Sequence, residues 1–273
     1  MSGFTQVMDK AQETSHTPAA VPGRGGNVLT GLRKLTGSEF RLMLRDPGLA
    51  FVMSIPVLLV VVFGSLPSTG SPSPDFGGRR FIDFYLPPII TMVIGMMALN
   101  ALTSVLASYR ERGILRRLAV TPVRPITLMI AQGLVNLASL TTVTAVVMAV
   151  AGFAFDVPMP RQFFGFVLAF FLCIVSMFAV GLLISAVAPT GKAANGIGTV
   201  AFFPLVFLAG VWTPGPLMPD VIRRVSDFSP LGAGSQAMQR AWDGSFPEPL
   251  HLIVLAVFTL VVGFIASRLF RWE

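Results

Sequence analysis

The sequence predicts an all-α polytopic membrane protein with six transmembrane helices, and three observations predict it. The 273 residues are 53% hydrophobic but only 12% charged, about half the charge of an ordinary soluble domain. The mean hydropathy is +0.75. The apolar residues fall in six long runs, each too unbroken for a barrel strand and each near the length that crosses a bilayer. The basic residues are biased to one side of the resulting frame.

Residues 1–27 are polar and rich in Gly, Pro, Ser and Thr, with no apolar signal-peptide core. They read as a disordered cytoplasmic tail. Residues 28–45 have helical periodicity: Val28, Leu29, Leu32, Leu35, Phe40 and Met43 share one side, with Lys34, Arg41 and Arg45 roughly opposite. This pattern predicts an amphipathic helix at the membrane surface. Glu39 falls on the apolar face, which requires a cationic partner or packing against protein. Asp46-Pro47-Gly48 ends that helix.

The six spans lie at about 49–66, 81–107, 126–155, 163–187, 194–212 and 251–270. The first is near the minimum crossing length, and Pro56 kinks it. Pro87 and Pro88 lie in the first turns of the second, where a missing N–H is least harmful. The third is long enough to tilt. Residues 213–249, rich in Pro and Gly, are too polar for a plain crossing. With both termini inside, Arg79, Arg80, Arg161, Arg223, Arg224 and Arg240 lie outside, which leaves the other 14 of the 20 Lys and Arg inside. The formal net charge of +7 is thereby a matter of orientation rather than nucleic-acid binding.

The compact run of charge is residues 109–124, between the second and third spans. It holds Arg110, Arg112, Arg116, Arg117 and Arg124 with a single acid, Glu111. Residues 111–118 can form two helical turns with Ile114, Leu115 and Leu118 on one side, and Thr121-Pro122 stops them. Such a tip suits docking into a groove on a soluble partner; arginines that merely set topology account for the charge as well.

The stretch Glu111-Arg112-Gly113-Ile114-Leu115-Arg116-Arg117-Leu118, closed by Thr121-Pro122, resembles the loop motif of ABC type-2 permeases, the membrane subunits of ATP-binding-cassette exporters. Arg45-Asp46-Pro47 before the first span is similar to that family's Arg-Asp-Pro. Trp212-Thr213-Pro214, Leu217-Met218-Pro219 and Ser229-Pro230 resemble its signature before the last span. The resemblance covers residues 28–273 as one transmembrane domain. It implies a coupling helix carrying Glu111, Arg112, Gly113, Leu115, Arg116, Arg117, Thr121 and Pro122. It also implies a connecting helix carrying Glu39, Arg41 and Arg45, and short re-entrant helices within 213–249. The implied partners are a separate ABC-type ATPase, which binds the ATP and Mg, and a second permease copy, identical or related. The implied place is the cell inner (plasma) membrane, with both termini cytoplasmic.

The chain's own residues fit that division of labour. Gly191-Lys192-Ala193 is the nearest approach to a phosphate-binding loop, and it lacks the upstream Gly and the Ser/Thr. None of the spans carries a central Asp, Glu, Lys or Arg, so a carboxylate relay within them is not expected. No cofactor and no metal site is expected: His16 and His251 are distant in sequence, and Cys173 is the single cysteine. Asn100, Gln132 and Asn136 are candidates to line a substrate path, with interhelical hydrogen bonding as the other reading. The Phe- and Met-rich spans favour a hydrophobic drug, antibiotic or lipid-like cargo. Polysaccharide or lipid export remains an alternative, as does an intramembrane enzyme built on Ser235 and His251.

Overall fold

In a computed structural model the described residues are 47–72, 74, 78, 80–112, 125–213 and 217–269, with the backbone alone at 47–53, 67–68 and 125–128. Among them every regular element is helical. In chain order these are α1 (Pro47–Ser65), α2 (Pro67–Gly70), α3 (Phe81–Glu111), α4 (Pro125–Phe155), α5 (Phe163–Val187), α6 (Gly191–Leu208), α7 (Asp220–Asp227), α8 (Pro230–Trp242) and α9 (Pro249–Leu269). The amphipathic helix expected over 28–45 lies outside the described residues.

Among the described residues, five helices are long and apolar enough to cross a membrane: Phe81–Glu111, Met129–Phe155, Phe163–Val187, Gly191–Leu208 and Pro249–Leu269. The expected first span coincides with α1, a 19-residue helix that is apolar from Leu49 onward. The fourth expected span matches α5 residue for residue. Two helices differ from their expected spans by more than two residues at an end. The second span continues past residue 107 to Glu111, because Tyr109 and Arg110 find partners beyond their own helix and have no reason to leave it. The fifth begins at Gly191 and ends at Leu208. Thr190 accepts a hydrogen bond from the Ala193 N–H and so sets the start. Gly210, at φ 84°, turns the chain after Leu208, so Trp212 lies beyond the helix.

The helices start where short side chains satisfy orphan N–H groups. The Gln162 side chain accepts from Gly165 N at 2.8 Å and opens α5. Ser229 accepts from Gly232 N at 3.0 Å, with Pro230 next in the first turn, and opens α8. Arg80 and Asp83 cap α3 reciprocally, and the Arg80 guanidinium also donates to the Phe155 and Asp156 carbonyls. It thereby neutralises the negative end of α4.

The core is built around α3 and α5. Ile82, Leu86, Ile89, Ile90 and Ile94 of α3 are fully enclosed, as are Ile174 and Met177 of α5. α9 lies along α5, α8 packs on α3, α5 and α9, and α1 packs on α3 and α4. A knot of rings joins α1 to α3, with Phe63, Phe81 and Tyr85 centroids 4.7–5.7 Å apart. The outward faces are apolar: Phe153, Phe164, Val200 and Leu260 are each more than 70% exposed. In water such surface would aggregate; against lipid it costs nothing.

Two irregularities interrupt this regular helical packing. Met97–Leu102 of α3 winds as a π-helix, a form concentrated at functional sites. Within it, Ala98 O accepts from Thr103 Oγ1 at 2.7 Å. The second is the pair α7 and α8. Pro230 meets the Cys173 thiol at 3.9 Å, and Cys173 lies about 15 Å along α5 from its first residue. From that depth α8 returns to the end of the bundle, where Trp242 Nε1 donates to Pro158 O at 2.8 Å. The pair therefore enters and leaves by the same end.

Candidate functional site at the Glu111 end of the bundle

The last two residues of α3 grip the turn between α5 and α6. Arg110 Nη1 donates to Ala186 O at 2.6 Å, and its Nη2 donates to Ala188 O. Glu111 Oε2 accepts from Gly191 N at 2.9 Å. The cation sits at the C-terminal end of α5 and the carboxylate at the N-terminal end of α6, each opposite the helix charge it complements. Arginine and glutamate thus straddle Ala188-Pro189-Thr190 from one side.

Glycine makes the approach possible. A Cβ on Gly191 would lie 2.1 Å from Ser108 Oγ and 3.2 Å from Ser104 O. Higher up the same contact, a Cβ on Gly198 would lie 1.8 Å from Leu99 O, and one on Gly181 would lie 2.4 Å from Ala98 O. Both carbonyls belong to the π segment. Hence α5 and α6 press their bare backbones against the part of α3 whose helix is widened, in the close packing that small residues permit within membranes.

Of the expected coupling residues, Glu111 is therefore the last residue of α3 and Arg112 follows it, exposed, in a turn. Gly113, Leu115, Arg116, Arg117, Thr121 and Pro122 lie outside the described residues, as do Glu39, Arg41 and Arg45. Of the path candidates, Gln132 is buried on α4 and its Nε2 donates to Tyr109 Oη of α3 at 3.2 Å. Asn136 is buried one turn on, with Nδ2 donating to Gln132 O at 2.8 Å. Asn100 stands apart from them. It is half-buried, and its Oδ1 accepts from Thr199 Oγ1 of α6 at 2.9 Å. Thr199 belongs to an exposed stripe with Lys192 and Asn195, so Asn100 and α6 together put polar groups on an outward surface.

At the opposite end, a cavity of about 410 Å³ lies between α3, the end of α6, α7 and α8. Phe84, Pro88, Leu208 and Met218 form its apolar wall, and Ser235, Gln236, Gln239 and Arg240 are among its polar groups. A second opening of about 650 Å³ is almost wholly apolar and runs between α5, α6, α7 and α9. His251 of α9 has an acidic neighbour on α7. Its Nε2 lies 3.2 Å from Asp227 Oδ1, and Ser235 stands in the wall of the 410 Å³ cavity.

Three features escape sequence reasoning here. The charge pattern places Arg110 among five loop arginines, yet it is a helix-end ligand for two carbonyls. The Thr190-Gly191 pair carries a readable N-cap signal inside what otherwise looks like a plain turn. The Asp227–His251 pair joins residues 24 apart across the whole of α8, and no local pattern announces it.

Comparison with known proteins agrees with this architecture. A family model described as ABC-2 type transporter matches residues 30–241. Among curated proteins, the chain is 27% identical over 194 residues to the probable multidrug ABC transporter permease YbhR of Escherichia coli strain K12. The same protein of Escherichia coli O157:H7 matches at the same identity. The alignments cover 69% of this chain and 52% of the relative, so the chain spans about half the length of the curated relatives it matches.

Proposed function

The chain belongs to the ABC-2 type transporter family, and from that premise we propose that it is the permease subunit of an ATP-driven exporter. In this reading a separate ABC-type ATPase supplies the energy, and a second permease copy completes the path. The cargo is a hydrophobic drug, antibiotic or lipid-like compound; the multidrug designation of the Escherichia coli relative favours that class. The spans lie in the cell's inner membrane, six in number with α1 as the first, and both termini are cytoplasmic. The Glu111 end of the bundle is then the cytoplasmic end, and α7 and α8 form a re-entrant hairpin from outside.

The observation that carries the proposal is the double grip of Arg110 and Glu111 on the α5–α6 turn. These residues stand directly before the arginine-rich sequence 112–124, the segment that the ATPase would hold. Movement of that segment pulls on the last turn of α3. Because the guanidinium and the carboxylate hold the ends of α5 and α6, three helices move as one. The π segment, lacking standard α-helical pairing, is the place where α3 can bend. ATP binding closes the ATPase pair, and its differential affinity for the two states shifts the spans from inward-open to outward-open. The polar stripe of Asn100, Asn195 and Thr199 is where a second copy, or cargo held between copies, meets this one.

The test is copurification followed by transport. The detergent-solubilised chain should bring down an ATP-binding subunit. Export in reconstituted vesicles should need both proteins and ATP. Glu111→Ala and Arg116→Glu should abolish export while leaving membrane insertion intact. Undiminished export by these variants, or export without any ATPase, overturns the proposal.

A further inference from the structure

His251, at the start of α9, is only 3% exposed, and it sits between two carboxylates. Nε2 lies 3.2 Å from Asp227 Oδ1, at the end of α7. Nδ1 has no hydrogen-bond partner among the described residues and lies 4.0 Å from Glu248 Oε2, just ahead of α9. The other Glu248 oxygen meets the guanidinium of Arg240 on α8. One imidazole therefore stands at the junction of α7, α8 and α9.

A neutral imidazole carries one N–H. If that hydrogen is on Nε2, it is donated to Asp227 and the Nδ1 lone pair faces Glu248. If it is on Nδ1, the Nε2 lone pair faces Asp227. In either tautomer an acceptor confronts an acceptor across a ring that is itself almost closed to water, while the carboxylates of Asp227 and Glu248 keep 24% and 38% of their side-chain surface exposed. The imidazolium alone can donate on both sides. We propose that His251, Asp227 and Glu248 form a proton-binding site, and that an occupied site latches the α7–α8 hairpin onto α9.

The reaction is a simple protonation: one proton joins the ring nitrogen that lacks one, no bond to carbon changes, and the charge of the trio rises by one. Among the described residues, the other charged groups nearby are already matched or distant. Arg223 pairs with Asp220 at the far end of α7, Arg240 holds Glu248, and Gln239 of α8 bonds to Asp243. Arg224 is exposed on α7 and lines the apolar opening. The titratable group that α5 brings is Cys173, which lies against Pro230. The charged group that α9 brings is Arg268, at its other end. On α3, Arg80 and Asp83 satisfy each other.

The experiment is amide hydrogen exchange on the purified full chain in detergent micelles, from pH 8 to pH 5.5, corrected for intrinsic exchange rates. That interval spans the range in which imidazoles change charge. Protection of residues 220–242, relative to α5, should rise in acid by about tenfold, the scale of one charge-assisted hydrogen bond. Glu248→Gln keeps the size and the Asp227 contact but offers an amide in place of the second carboxylate, so it should flatten the pH dependence to about twofold or less. His251→Gln should abolish the dependence, and His16→Gln, which alters the other histidine of the chain, should leave it whole. Protection that is flat or falls in acid overturns the proposal. So does a full pH dependence in Glu248→Gln, the variant that bears the test should His251→Gln fail to fold, and so does its loss in His16→Gln.

Discussion

Two glycines one half-turn apart on α6 provide the sharpest check on the packing. Gly198 faces the π segment, and a methyl group there would stand 1.8 Å from Leu99 O and 2.8 Å from its carbonyl carbon. Ordinary contact needs about 3.4 Å, so α6 and α3 must separate by about 1.5 Å or bend. Overpacking of that kind costs about 1–3 kcal/mol, and the obstacle is backbone rather than a side chain that can swing aside. A methyl group on Gly196 would meet nothing within 4 Å. There alanine should gain up to about 1 kcal/mol from its better helix propensity. Gly198→Ala should therefore lower the thermal midpoint of the purified protein in micelles, while Gly196→Ala should leave it equal or raise it. The gap between the two variants should be about 1–4 kcal/mol. Equal behaviour of the pair would refute the close approach of α6 to the widened part of α3.

The same geometry sets four other outcomes. Gly234→Ala puts a methyl group 2.4 Å from Cys173 Sγ and should destabilise by about 1–3 kcal/mol; adding Cys173→Ala should restore part of that loss in a double-mutant thermal-melt cycle. Thr103→Val leaves Ala98 O without its hydroxyl donor and should cost about 1–3 kcal/mol in the same melt. Arg110→Gln should loosen the α5–α6 turn, read as faster exchange of the amides of residues 189–193, while exchange in α8 and α9 stays unchanged. Trp242→Phe removes the bond to Pro158 O but keeps the edge contact with Phe166, and should cost about 1 kcal/mol.

The crossings are legible in the sequence because hydrophobic length is a local property. Phe163–Val187 has no charged residue and is bounded by Arg161-Gln162 before it and Pro189-Thr190 after it, so both of its ends can be read directly. The end of α3 is less legible. Arg110 and Glu111 resemble loop residues until their partners at 186–191 are known, and those partners are more than seventy positions away. The π segment, Met97-Ala98-Leu99-Asn100-Ala101-Leu102, has the composition of ordinary helix. What distinguishes it is the tertiary contact with Gly181 and Gly198, which no local pattern encodes. Asn100, Gln132 and Asn136 are alike in polarity alone. The fold separates them, because angular position on a helix decides the neighbour and polarity does not. For His251, the neighbour is Asp227 at the end of α7, 24 positions earlier, and no local pattern links the two.

The widened turn of α3 also sets its phase. A π segment holds one residue more than α-helical winding would, so everything after it is turned by about 100° relative to an uninterrupted helix. Deleting one residue within 97–102 would restore uniform winding without moving the following turns, whereas rewinding all six residues as α-helix would swing those turns around the axis. Arg110 and Glu111 would then face away from the α5–α6 turn, with neither side chain altered. The alignment of that arginine and glutamate with their targets is thus stored about ten residues upstream, in a count of backbone units.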